Sequence, residues 1–204
     1  MHTPVRRALI DSPPRGYSLL ELLVVVGMAS VIAAISVPLM AQAMADYRLS
    51  GDARGVSSAI ALAKMRAASA FSQSRFYLDL EERTYRIETL NRVGTPTWMR
   101  EGAESQLGVG VTAGFASLEA PPEDTQTALA QASACRTPAG VAITGTACIV
   151  FNSRGIPVDS FGTPTSQGAI YLTDGVFVYA ATVQASGMVQ LWRSGAERVA
   201  WTSQ

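Results

Sequence analysis

The chain has 204 residues, 48% of them apolar, with 16 basic side chains against 16 acidic ones. That length suits one modest domain plus an accessory element. The balanced charge excludes the basic footprint of a general nucleic-acid binder. Without the first 16 residues, which hold Arg6, Arg7, Arg15 and Asp11, 13 basic and 15 acidic side chains remain, so the balance turns slightly negative.

The first element is an apolar run. Leu22 to Ala45 is 24 residues without a charge, about 36 Å as a helix, enough to cross a hydrocarbon core of about 30 Å. The net-positive flank before it predicts a cytoplasmic N-terminus, with everything after about Tyr47 exported. A secretory signal peptide needs a small-residue cleavage site after the run, and Ala41–Ala43 is the nearest candidate. A plain membrane anchor is a second reading. Neither accounts for Glu21, a carboxylate at the edge of the run, where a lone charge costs roughly 2.5–3.5 kcal/mol on insertion scales.

The stretch RGYSLLELLVVV, Arg15 to Val26, resembles the leader junction of type IV prepilins and type II secretion pseudopilins. A basic residue and Gly16 precede an aromatic residue, Tyr17, and Glu21 stands fifth after the glycine. Most members have Phe where Tyr17 stands; the aromatic bulk is kept. The resemblance implies a leader of residues 1–16, cut between Gly16 and Tyr17 by a prepilin peptidase that also N-methylates Tyr17. Glycine suits such a junction because it lacks a Cβ. Glu21 would then meet the cationic N-terminus of an adjacent subunit during assembly; the alternative is that it reaches the head groups from one turn inside the helix. Pro38 matches a proline often found within the same helix, and its missing amide hydrogen predicts a kink or loosening near Ala34–Val37.

Past Pro38, Leu49, Ala53, Val56, Ile60, Ala63, Ala67 and Phe71 recur at helical spacing, with Arg48, Asp52, Lys64 and Arg66 on a wetter face. The pattern predicts one helix over residues 17–71. Its first half (about 20–45) is membranous, and its second half is amphipathic and packs on a domain.

Residues 72–204 read as a β-rich globular domain. RFYLDL and TYRIETL alternate around a turn at Glu81–Arg83, and ACIVF, GAIYLT, VFVYAATV and MVQLWR follow, with turns at Asp174-Gly175 and Ser186-Gly187. The expected fold is α+β, pilin-like: a long N-terminal helix packed against a mostly antiparallel sheet. Residues 102–145 have little strand pattern and are expected to form an exposed excursion. Cys135 and Cys148 can pair across it or remain thiols; their place on the exported side favours the disulfide. Ile149 to Asp159, IVFNSRGIPVD, resembles the mid-domain signature of H-type pseudopilins and the FimT/FimU minor pilins.

Chemistry for catalysis is sparse. The sole histidine, His2, lies in the leader, and no phosphate loop, cysteine cluster or paired-carboxylate motif is present. Asp159 and Asp174 read as turn residues rather than calcium ligands. No catalytic, cofactor or metal residue is assigned, and an enzyme is not expected. Some FimT-like proteins of DNA-uptake pili carry Gly-Arg-x-Arg in the last hairpin. Here Gly187-Met188-Val189-Gln190 lacks both arginines, which argues against nucleic acid as a partner, although Trp192, Arg193, Arg198 and Trp201 could form a small basic-aromatic patch. The leading expectation is a minor pilin or H-like pseudopilin, a structural subunit at or near the tip of a type IV pilus or pseudopilus. Its expected partners are the prepilin peptidase/methyltransferase, other pilins and an inner-membrane assembly platform. It would sit in the inner membrane as a single pass, with the globular domain periplasmic or extracellular. The alternative is an exported, membrane-anchored module whose 102–145 segment captures DNA or another ligand.

Overall fold

The computed structural model describes residues 16–159, 161–194 and 201–204; within α1 it leaves the side chains of residues 38, 39, 41 and 42 undescribed. The first 15 residues of the expected leader, including His2, thus lie outside it, as does Arg198. The chain divides into two units, with the boundary between Gln42 and Ala43. Helix α1 spans Leu19–Ser69 and runs through position 38 without interruption.

In the first unit α1 is apolar all round. Leu19–Val37 is 19 residues with a mean hydropathy of 2.4, and none of that span is buried against protein. At 1.5 Å per residue it is about 28 Å long, close to the thickness of a hydrocarbon core. A span of this kind is compatible with a membrane anchor.

In the second unit the same helix is one-sided. Leu49, Ala53, Val56, Ile60, Ala63 and Ala67 are all at most 2% exposed, the alternating four- and three-residue steps of a single helical face. Phe71 was expected to extend this stripe but is 86% exposed. The helix stops before it. Phe71 takes the left-handed conformation (φ 48°), and the Ser72 amide reaches back to Ala67 O at 3.2 Å while the Phe71 amide points to Ala68 O at 3.4 Å. This is a Schellman ending with phenylalanine in the place where glycine is usual.

Ten strands follow. One sheet has the order β3-β2-β1-β5-β6, from Thr97–Gln106, Thr84–Asn91, Ser74–Asp79, Thr146–Phe151 and Pro157–Val158. The other has the order β10-β9-β8-β7-β4, from Trp201–Ser203, Val189–Ser194, Val178–Val183, Gly168–Thr173 and Thr112–Ala113. The pairings between these strands are antiparallel. The protein is therefore α+β, with two sheets where the sequence suggested one. Alternation along each central strand sends one set of side chains to α1. Phe76 and Leu78 of β1, Ile149 and Phe151 of β5, Ile170 and Leu172 of β7, and Ala181 and Val183 of β8 share a core with the helix stripe.

Strand β3 had no signal in the sequence. It lies at a sheet edge, largely exposed and rich in charge, and is held by pairing with β2 across a bulge near Gly102 (φ 74°). The excursion consequently starts after Gln106, not at residue 102.

It is also far from wholly exposed. Leu107 and Val111 enter the main core; Leu118, Phe115 and Leu129 pack on the outer face of the second sheet, against Tyr171, Val178 and Ala180; Cys135 and Ile143 pack on the outer face of the first, against Tyr77 and Val150. The segment is a strap that covers the backs of both sheets. Gln131 replaces a strand neighbour for Tyr171, whose amide donates to Gln131 Oε1 at 2.9 Å and whose carbonyl accepts from Nε2 at 2.8 Å. Ala132 donates to Ala169 O, and Ser133 O accepts from the Cys148 amide, so the strap bonds to β7 and β5 in turn.

Because Phe71 is exposed and strained, Phe71→Gly should stabilise the folded domain by about 1 kcal/mol, read as a rise of a few degrees in melting temperature. A loss of stability would show that the phenyl ring makes a contact the fold depends on.

Candidate functional site at the start of the helix

Gly16, Tyr17 and Ser18 precede α1 as exposed, non-helical backbone, and Tyr17 is 84% exposed. Ser18 is the N-cap. Its carbonyl accepts the Leu22 amide at 3.1 Å and its Oγ accepts the Glu21 amide at 3.2 Å. Ser18-Leu19-Leu20-Glu21 thus has the Ser-x-x-Glu spacing of a capping box, with the hydroxyl half formed. Glu21 lies in the first helical turn, where the helix dipole favours a negative charge. The apolar pattern of the sequence singles out Glu21 as a charge and not Ser18, although the four-residue motif is visible in it. Further along, Ser30 Oγ donates to Val26 O at 2.8 Å, which keeps a hydroxyl in the apolar span satisfied. The side chain of Pro38 lies outside the described residues.

The other sequence-derived candidates belong to the second unit. Cys135 and Cys148 form a disulfide with their Cα atoms 4.9 Å apart, fastening the strap to β5. Asp159 and Asp174 cap turns: Asp159 Oδ1 accepts the amides of Phe161 and Thr163, and Asp174 Oδ1 those of Val176 and Phe177. Among the described residues no three metal-ligating side chains come together.

The basic-aromatic patch does not form from the residues described. Trp192 Nε1 donates to Thr182 Oγ1 at 2.9 Å, Trp201 Nε1 donates to Ala120 O at 3.1 Å, and both rings pack on the cluster around Tyr171. Burial pushes the Tyr171 phenol well above its ordinary range. Arg193 pairs with Asp46 of α1 at 2.8 Å and lies over the rings of Phe177 and Tyr179. In the last hairpin Gly187 is required by space, since a Cβ there would meet Gly155 O at 2.4 Å. Lys64 Nζ donates to Gly187 O at 3.0 Å, tying this turn to the helix.

One charge network escaped the sequence reading. Arg75, 3% exposed, donates to Glu88 Oε2 at 2.7 Å through Nε and to Arg136 O at 2.6 Å through Nη1. Arg86 bridges Glu88 at 2.8 Å and Glu104 at 2.7 Å. Trp98 and Tyr77 flank the two guanidinium groups. Burial pulls the Arg75 guanidinium below its ordinary range. Burial pulls Arg86 the same way, but its bonds to Glu88 and Glu104 outweigh it and hold the group higher, while Arg86 holds the Glu104 carboxyl lower.

A cavity of about 230 Å³ opens beside Arg75, Trp98, Arg136, Asp159 and Gln167. The side chains of Arg75, Arg136, Asp159 and Gln167 there already bond within the chain. The network is thus a structural clamp between β1, β2, β3 and the strap. Glu88→Ala would leave Arg75 buried without its carboxylate and should cost about 3–5 kcal/mol in chemical denaturation. A cost below about 1 kcal/mol would show that the clamp is dispensable.

No protein-family model and no curated protein sequence matches the chain. Among solved structures it is similar to the minor pseudopilin EpsH from the type 2 secretion system of Vibrio cholerae, at 13% identity over 71% of this chain and 95% of that one, with a TM-score of 0.42.

Proposed function

We propose that the chain is a minor pilin or H-like pseudopilin: a non-enzymatic structural subunit, cut between Gly16 and Tyr17, held in the inner membrane by α1 and assembled at or near the tip of a type IV pilus or type II secretion pseudopilus. The observation that carries this reading is the junction itself. An exposed Gly16-Tyr17 lies directly before a Ser18-capped helix with Glu21 in its first turn, and that helix opens into a 19-residue apolar span.

Gly16 adds support. Among the described residues a Cβ there would meet nothing within 4 Å. The chain's own packing does not ask for glycine there, whereas a peptidase that must approach the backbone closely would.

In this reading the N-terminus is cytoplasmic, the globular domain is periplasmic or extracellular, and the partners are the prepilin peptidase/methyltransferase, neighbouring pilins and the assembly platform. Cleavage would give Tyr17 a cationic amine, which Glu21 of an adjacent subunit would meet during assembly. The burial of much of the strap speaks against the alternative, a ligand-capturing excursion.

Glu21→Ala should leave processing and the melting temperature of the domain unchanged while reducing recovery of the protein in sheared filaments by about ten-fold or more, the effect of losing a charge pair worth over 1.4 kcal/mol. Recovery at the unsubstituted level would leave Glu21 with only its local place in the first helical turn.

A further inference from the structure

The start of α1 depends on one hydroxyl. Ser18 Oγ accepts the Glu21 amide, and this lets the helix begin at Leu19 with Gly16 and Tyr17 left as exposed non-helical backbone. The first-turn amides stand at the mouth of an apolar span, where an unbonded N–H is far costlier than in water. If the hydroxyl is removed, the regular acceptor for the Glu21 amide becomes the carbonyl four residues back, that of Tyr17; for Leu20 it is that of Gly16. Satisfying those donors draws Tyr17 into the helix, makes Gly16 the new cap residue and ties up the carbonyl of the peptide bond between them. Exposed, irregular backbone is what proteases cut, and a helical bond is protected. Among the described residues a Cβ at Gly16 would meet nothing within 4 Å, so the backbone at this bond is open to an approaching enzyme.

We infer that Ser18 is a positioning residue for processing: by capping α1 it keeps the Gly16–Tyr17 bond outside the helix and available to the peptidase. The inference rests on the reading of Gly16–Tyr17 as the processed junction. Glu21 joins the same device through its backbone amide, separately from any role of its carboxylate.

The test is the rate of processing of the full-length chain in membranes containing a prepilin peptidase, for the unsubstituted protein and for Ser18→Ala, Ser18→Thr and Ser18→Asn. Thr and Asn are both N-cap residues, and Asn lacks the hydroxyl. Ser18→Ala should be processed about five-fold more slowly, the factor corresponding to a typical lost N-cap, and the carbon chemical shifts of Gly16 and Tyr17 in micelles should move toward helical values. Thr and Asn should restore both the rate and the shifts. Processing of Ser18→Ala at the unsubstituted rate would overturn the inference. So would an Asn variant as slow as Ala, which would mean that the enzyme reads the hydroxyl directly. Failure of the unsubstituted protein to be cut at Gly16–Tyr17 would instead remove the functional reading beneath it.

Discussion

Six side chains on one face of α1, from Leu49 to Ala67, are the surface on which both sheets converge. Neither sheet could bury its inner face without them. Each is a short antiparallel array whose central strands turn alternate residues inward, and a sheet face left bare in water has no independent stability. The helix face is built partly from alanine, and its Val56 and Ile60 share one core with Phe76, Phe151, Ile170 and Leu172. Lys64 and Asp46, beside the stripe, tie the helix to the β8–β9 turn and to β9 through Gly187 O and Arg193. The same element, over Leu19–Val37, is apolar all round its circumference and, among the described residues, unburied. One helix thus carries two burial patterns, suited to two solvents.

The strap answers the problem that the helix leaves. With α1 on the inner faces, Tyr77, Cys148 and Val150 of one sheet and Ala169, Tyr171, Val178 and Ala180 of the other still point outward. Residues 107–145 cover both, and because they carry almost no regular structure their backbone groups need partners from elsewhere. Gln131, the Ala132 amide and the Ser133 carbonyl provide those links, and the disulfide fixes the end of the segment. The Arg136 carbonyl, next to Cys135, then completes the bonding of the buried Arg75.

Much of this was legible in the residues, for identifiable reasons. The apolar run, the stripe from Leu49 to Ala67 and the strands at GAIYLT and VFVYAATV carry their burial in their own periodicity. What was missed depends on partners. Strand β3 exists because β2 lies beside it, not because TWMREGAESQ favours a strand. The second sheet could not be told from a continuation of the first. The strap looked exposed because its buried residues are spaced irregularly, each meeting a different strand. Phe71 followed the helical period but fell two residues beyond the end of α1 at Ser69. At the junction, Gly16, Tyr17 and Glu21 were recognisable as a pattern. Ser18 was not considered because its contribution is one local hydrogen bond to the Glu21 amide.

That local bond bears on why a carboxylate stands at the edge of an apolar helix. In the first turn Glu21 is favoured by the helix dipole, and the cap satisfies its amide, one of the orphan donors of the helix start. In the proposed reading its charge would stand at the edge of an apolar span, and cleavage beside Gly16 would supply a cation to pair with it. The most direct test is the intact mass of the protein extracted from the membrane of a cell that exports it. The account predicts a chain that begins at Tyr17, has lost all of residues 1–16 and carries one added methyl group. A chain retaining Met1, or one starting near Ala43, would contradict it.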